Sequence, residues 1–186
     1  MAMVSALLLL LVLTMLSVGM FHSFGLEERM AGNTREKQRA THAAGATLTY
    51  GESWMISNGG SNAMDAGTGT ACAGITATPV VCSNIITNVT QVPWATATNH
   101  SPPSMNVTTG TAGAQGAYIA QPQLYISYLS GYYNATAGTQ TNAYQIDATA
   151  YGGNYNSATV VESTYLVSVT YTSRSDRSKY INLGGP

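Results

Sequence analysis

The sequence predicts an α+β fold, a long amino-terminal α-helix packed against a carboxy-terminal antiparallel β-sheet. Three patterns carry that reading. Val4 to Phe21 (VSALLLLLVLTMLSVGMF) is an uncharged apolar run. Helical spacing of apolar residues then continues from Leu26 to about Met55. From Ala117 onward the period changes to two, with β-branched and aromatic residues enriched. The chain divides accordingly into a hydrophobic helix over 1–25, an amphipathic second half over 26–58, a variable region over 59–117, and the sheet with its tail over 118–186. The hydrophobic half of the helix is expected to protrude.

At about 1.5 Å rise per residue, the apolar run is long enough to cross a bilayer core of roughly 30 Å. It does not read as a secretory signal peptide. No Lys or Arg precedes Arg29 and no A-x-A-like site follows the run. Two readings remain: a plain membrane anchor, or a helix that sits in the membrane first and later packs into a filament core.

Gly19 and Gly25 bracket Met20 to Phe24. Each glycine weakens a helix by about 1 kcal/mol. Ser23 can cap a fresh helix start, with Glu27 and Glu28 favourable in its first turn. A rod in two parts is expected, with a weak joint between Ser17 and Gly25; the alternative is a continuous helix whose glycines allow close packing.

In the second half, Leu26, Met30, Thr41, Ala44, Leu48 and Met55 keep helical spacing, flanked by Ala43, Ala46, Tyr50 and Trp54. The stripe is thin near Arg35 to Arg39 and stronger from Ala40. The first part should therefore face other subunits or solvent, and the later part should form the core under the sheet. Asn58-Gly59-Gly60 is a helix stop.

Gly60 to about Ala117 has no sustained period and is rich in Gly, Thr, Ser, Asn and Pro. A disulfide and a short strand at Val80-Val81 or Ile85-Ile86 should hold it down, with Trp94 docked. The sheet strands are expected at Gln123 to Leu129, Ala143 to Tyr151 and Ala158 to Thr172. Their inward residues are Leu124, Ile126 and Tyr128 on the first, then Tyr144, Ile146, Ala148 and Ala150 on the second. The charged tail Arg174, Asp176, Arg177 and Lys179 follows.

Charge is scarce. Only 8% of the 186 residues are charged, and none lies between Asp65 and Asp147. A surface without charge is poorly protected against association, which suits a subunit packed against copies of itself. The net charge of -1 gives no electrostatic case for nucleic acid.

Cys72 and Cys82 are the two cysteines. Their spacing is not CxxC and no histidine follows, so haem attachment and a zinc knuckle are excluded. One disulfide in an oxidising compartment is expected; two buried free thiols are the alternative. His22, His42 and His100 lack partners at metal-ligand spacing, so no metal is expected. Acidic residues are too few for a paired carboxylate site, and no phosphate loop is present. No catalytic residue and no cofactor is expected. Asn88, Asn99, Asn106 and Asn134 each begin N-x-S/T. These are possible glycosylation sites, or a product of Asn- and Thr-rich composition.

The apolar run followed by Leu26-Glu27-Glu28-Arg29-Met30-Ala31-Gly32-Asn33, then Arg35 and Gln38, resembles the amino-terminal signature of PilX-type pilins of type IV pili. His42 to Leu48 (HAAGATL) and Gly51-Glu52 look like that family's next segment. Tyr144 to Tyr165 is similar to its closing hairpin. Together these cover about half the chain; Gly60 to Ala117 is without a counterpart. Most pilins have Glu at mature position five, where this chain has Ser5, and many have Pro where it has His22.

The resemblance implies a type IV pilin-like fold and no enzymatic activity. The chain opens directly on the apolar run, as a mature pilin would, so Met1 is expected to be the processed and methylated terminus. Assembly is expected to involve Ser5, Gly19, Gly25, Glu27, Glu28 and Arg29. The implied function is a structural subunit that polymerises through its helix into an extracellular filament for adhesion, motility or surface attachment. Its partners are copies of itself, other pilins and the inner-membrane assembly machinery. It would lie in the inner membrane as a precursor and on the bacterial surface afterwards. The alternatives are a minor pilin that primes assembly, or a monomeric membrane-anchored adhesin.

Overall fold

The computed structural model describes residues 2–59, 69–103, 105–108, 112–113 and 116–170, with the side chains of 2, 21–23, 58–59 and 169–170 excepted. Met1, the His22 side chain, Gly60 and the charged tail from Arg174 thus lie outside the described residues. The chain forms two units, Met1–Glu36 and Lys37–Pro186.

Helix α1 spans Ala2–Gly59 without interruption. The expected rod in two parts is therefore not met in the single chain. A Cβ added at Gly19, Gly25 or Gly32 would meet nothing within 4 Å, so no neighbour forces a break there. Helical bonding over so apolar a stretch offsets the propensity cost of two glycines. Within the first unit the described side chains from Met3 to Arg35 are exposed, Leu26 and Met30 included.

In the second unit α1 presents small residues at helical spacing. Ala40, Ala43, Ala44, Thr47, Gly51 and Met55 are all buried. Thr47 buries its hydroxyl by donating back to the Ala43 carbonyl at 2.9 Å. Thr41, expected on this face, is instead exposed. Its hydroxyl donates to the Lys37 carbonyl at 3.0 Å and lies 3.3 Å from the Thr159 hydroxyl. The helix ends at Gly59, within the expected stop.

Six strands form one sheet: β1 (Ile75–Thr76), β2 (Val81–Cys82), β3 (Ala97–Asn99), β4 (Gln123–Asn134), β5 (Thr139–Tyr151) and β6 (Ala158–Thr170). The order is β1-β3-β4-β5-β6, with β2 also on β4. The sheet is mixed rather than antiparallel throughout. β3, β4, β5 and β6 pair antiparallel, whereas β1–β3 and β2–β4 are parallel. The parallel strands come from the variable region, whose Gly- and Pro-rich sequence hides two- and three-residue strands.

The hairpin β4–β5 is longer than expected. Asn134 closes it, its Oδ1 accepting from the amides of Thr136 (3.0 Å) and Ala137 (3.1 Å), and Gly138 takes a positive φ of 63°. That side-chain turn replaces a backbone turn signal. The inner face reads in cross-strand rows: Leu124–Ala148–Val161, Ile126–Ile146–Ser163 and Tyr128–Tyr144–Tyr165. Met55, Leu124, Ile126, Tyr144 and Ile146 are the heart of the core, each side chain worth about 1.5–3 kcal/mol in burial. Arg39 ties the helix to the loop before β4, donating to the Ala117 carbonyl at 2.8 Å and lying over the Tyr118 ring at 4.4 Å. Glu52 accepts from the Ser163 hydroxyl at 2.8 Å.

Candidate functional site

Two surfaces carry candidate function, and each is described within its own unit. In the first unit, the stretch from Met3 to Met20 is uncharged and exposed, with side chains such as Leu7 at 67% and Leu9 at 63% of full exposure. The helix is long and apolar enough to cross a membrane. So large an exposed apolar surface on a folded chain marks an interaction with membrane or protein. Ser5 lies on this stretch and Gly19 interrupts its side chains; Gly25, Glu27, Glu28 and Arg29 follow beyond it, all exposed. The charge change at Glu27 therefore ends the apolar surface within one helical turn.

In the second unit, the outer face of the sheet is covered by the variable region. Cys72 and Cys82 are joined in a disulfide with Cα atoms 5.3 Å apart. Cys82, Trp94, Ala97 and Tyr125 form a second buried cluster beside it. Gln123 acts as a surrogate strand here. Its Oε1 accepts from the Trp94 amide at 2.9 Å and its Nε2 donates to the Trp94 carbonyl at 3.2 Å. The Tyr125 hydroxyl donates to the Asn84 carbonyl at 2.6 Å, pinning the loop after the disulfide.

Beneath that cover lies a buried carboxyl that sequence reasoning missed. Asp147 is fully buried and stands in register with Tyr125 on one side and Glu162 on the other. Among the described residues, Gln145 Nε2 is the donor to its oxygens, at 3.0 and 3.2 Å. Burial, reinforced by the Glu162 charge and partly offset by Gln145, pushes the Asp147 carboxyl up to about 6. Ser127, opposite Gln145 in the next row, buries its hydroxyl without a hydrogen-bond partner. Strand register sets Asp147 beside Glu162, fifteen residues on in sequence, a neighbourhood that neither strand indicates by itself. The signal was faint: in AYQIDATAY, Asp147 alternates with Ile146 and Ala148 and so reads as solvent-facing.

The histidines are dispersed. His42 is exposed, and His100 stacks on Tyr50 with ring centroids 3.8 Å apart, where burial lowers its pKa. Among the described residues, no group of three or more His, Cys, Asp or Glu is placed to hold a metal. Asn88 and Asn106 are exposed, Asn99 and Asn134 half-buried. Asn88 repeats the turn seen at Asn134, its Oδ1 accepting from the Thr90 amide at 3.3 Å and hydroxyl at 2.8 Å. Two of the four N-x-T/S motifs thus also serve as side-chain turns.

Residues 1–53 match the family model described as PilX N-terminal. That match and the long apolar amino-terminal helix fit a PilX-type pilin. No curated protein and no solved structure matches the chain significantly.

Proposed function

We propose that this chain is a structural pilin subunit that polymerises through its amino-terminal helix into an extracellular type IV pilus-like filament. The observation that carries the reading is the unbroken apolar surface from Met3 to Met20, exposed in the single chain and lying inside the family match. Water does not tolerate that surface, so it is membrane-embedded before assembly and helix-packed afterwards. Ser5 lies within it at the position where related filaments carry a glutamate. The nearly charge-free head, with a net charge of -1 for the whole chain, allows copies to pack side by side without repulsion. Adhesion, motility or surface attachment follows from the filament. The partners are identical subunits, other pilins and the inner-membrane assembly machinery, and the minor role of priming assembly is the same chemistry at lower copy number.

The rival reading, a monomeric membrane-anchored adhesin, uses the same apolar surface. Shearing the producing cells without detergent separates the two. Recovery of the chain in sedimentable fibres supports the filament. A chain that stays with membranes as a monomer, at normal expression, refutes it.

A further inference from the structure

Strand β4 changes partner along one edge. At Gln123 and Leu124 it pairs antiparallel with β3, and at Ile126 and Ser127 it pairs parallel with β2. The sheet edge therefore forks at Tyr125, and the fork borders a half-open cavity of about 200 Å³. Its floor is buried: Cys82, Ala97, Thr98, Leu124, Tyr125 and Ile126. Its lip, which includes Thr70, Ala73, Gly74 and Val80, is exposed. The Cys72–Cys82 disulfide forms part of the wall.

The hydroxyls of Thr76 and Thr98 in this cavity are paired. The Thr76 and Thr98 hydroxyls meet at 2.8 Å, and both also reach the Thr78 carbonyl, at 3.1 and 3.3 Å. The Thr70 amide donates to the Val81 carbonyl at 3.2 Å, and the Thr70 carbonyl accepts from the Ser83 amide at 2.9 Å. The Tyr125 hydroxyl is turned to Asn84. The buried polar atoms left without partners among the described residues belong to Ser127, Tyr151 and Asn154, none of which lines the cavity. An ordered water needs two to four polar partners, and the lining here is mainly apolar.

We propose that the fork cavity is a binding site for a compact apolar molecule about the size of a substituted benzene, admitted over the Ala73–Gly74 lip. The site belongs to the head and does not depend on filament formation. The disulfide holds the wall in shape.

The test uses the full chain in detergent with methyl labelling, titrated with toluene and followed by methyl NMR. Partition of toluene into the micelle perturbs Leu7 to Val18 without saturating, and serves as the internal control. Saturable shifts at the Leu124, Ile126 and Val80 methyls, with little change at Ile119, support the site. Ala73→Leu fills the lip from an exposed position and should weaken toluene binding at least roughly tenfold, while leaving the other methyl signals in place. Ala97→Val, which narrows the floor, should do the same. Absence of saturable shifts at these methyls in the wild type overturns the proposal, as do unchanged shifts in both variants. Cross-relaxation between bound water and the Ile126 methyl overturns it as well, because it shows a hydrated cavity.

Discussion

Asp147 on β5 stands directly across from Glu162 on β6, two acids in register on one face of the sheet. Asp147 is fully buried, and Glu162 remains exposed. The variable region folded over this face, from Gly69 to Asn99, contributes no charged side chain among the described residues. The groups facing Asp147 are therefore Tyr125 on β4, Gln145 on its own strand and Glu162 on β6, none of them a cation. A buried carboxyl in that setting favours its neutral form.

The consequence is a fold that loosens as pH rises. The Asp147 carboxyl is raised from 3.8 to about 6 in the folded chain, so the folded state binds the extra proton between those values. Stability from this group is full below about pH 4 and is lost through about pH 6. A shift of that size corresponds to about 3 kcal/mol. Asp147→Asn removes the charge and keeps a partner for Gln145. Urea unfolding at pH 4, 5, 6 and 7 should show the variant gaining on the wild type with each step, by about 2–3 kcal/mol at pH 7. An advantage that does not change with pH would refute the assignment.

Helix and sheet touch most closely at Gly51. A Cβ there would lie 2.8 Å from Leu124 Cδ1 and 3.0 Å from Ile146 Cγ2. Both partners are fully buried in the core, and a contact of 2.8 Å requires one of them to shift. Gly51→Ala gains about 1 kcal/mol of helix propensity and pays overpacking of about 1–3 kcal/mol. The expected net result is a loss of about 1 kcal/mol, and Gly51→Val should lose more. Thermal unfolding of the two variants measures it. A stabilised Gly51→Ala would show that the sheet can draw back.

The inner face of the sheet and the helix beneath it were legible because period two and period 3.6 each leave a long trace. Leu124, Ile126, Tyr144, Ile146, Ala148 and Ala150 point inward as their alternation implies, and Ala44, Leu48 and Met55 meet them. The variable region was not legible. β1, β2 and β3 have two or three residues each, too few for any period to appear, and they are set by non-local pairing to β4. Thr41 was misplaced because a threonine fits a helical stripe by spacing while its hydroxyl prefers the rim. The placing of Asp147 beside Glu162 needed the β5–β6 register, which single-strand alternation does not supply. The exposed apolar stretch of the helix was readable from hydropathy alone.

The disulfide joins Cys72 to Cys82 across a sequence separation of 10. In the chain-entropy treatment such a closure stabilises by roughly 3 kcal/mol. Alkylation under non-reducing conditions should therefore label no thiol in the native chain. The double replacement Cys72→Ser with Cys82→Ser should lower the urea midpoint by an amount matching about 2–3 kcal/mol. Two labelled thiols in freshly prepared protein would end the idea.

The last prediction concerns the helix in its assembled state. In the single chain α1 is unbroken, and Gly19 and Gly25 have no neighbour within 4 Å of where a Cβ would sit. At Gly19 and Gly25 the helix holds against a cost of about 1 kcal/mol for each glycine. Packing among neighbouring helices changes that balance. Freed amides and carbonyls are tolerated in an apolar setting where surrounding protein covers them, and glycines let backbones approach closely enough to do so. Backbone bonding between Ser17 and Gly25 is therefore expected to be interrupted in the filament, with helix resuming by about Glu27. Replacing Gly19 and Gly25 together by alanine should stiffen this stretch and reduce the yield of sheared fibres at normal protein levels. A filament density map with continuous i to i−4 bonding from Ala6 to Ala46 would refute the expectation, as would undiminished fibre yield in the double variant.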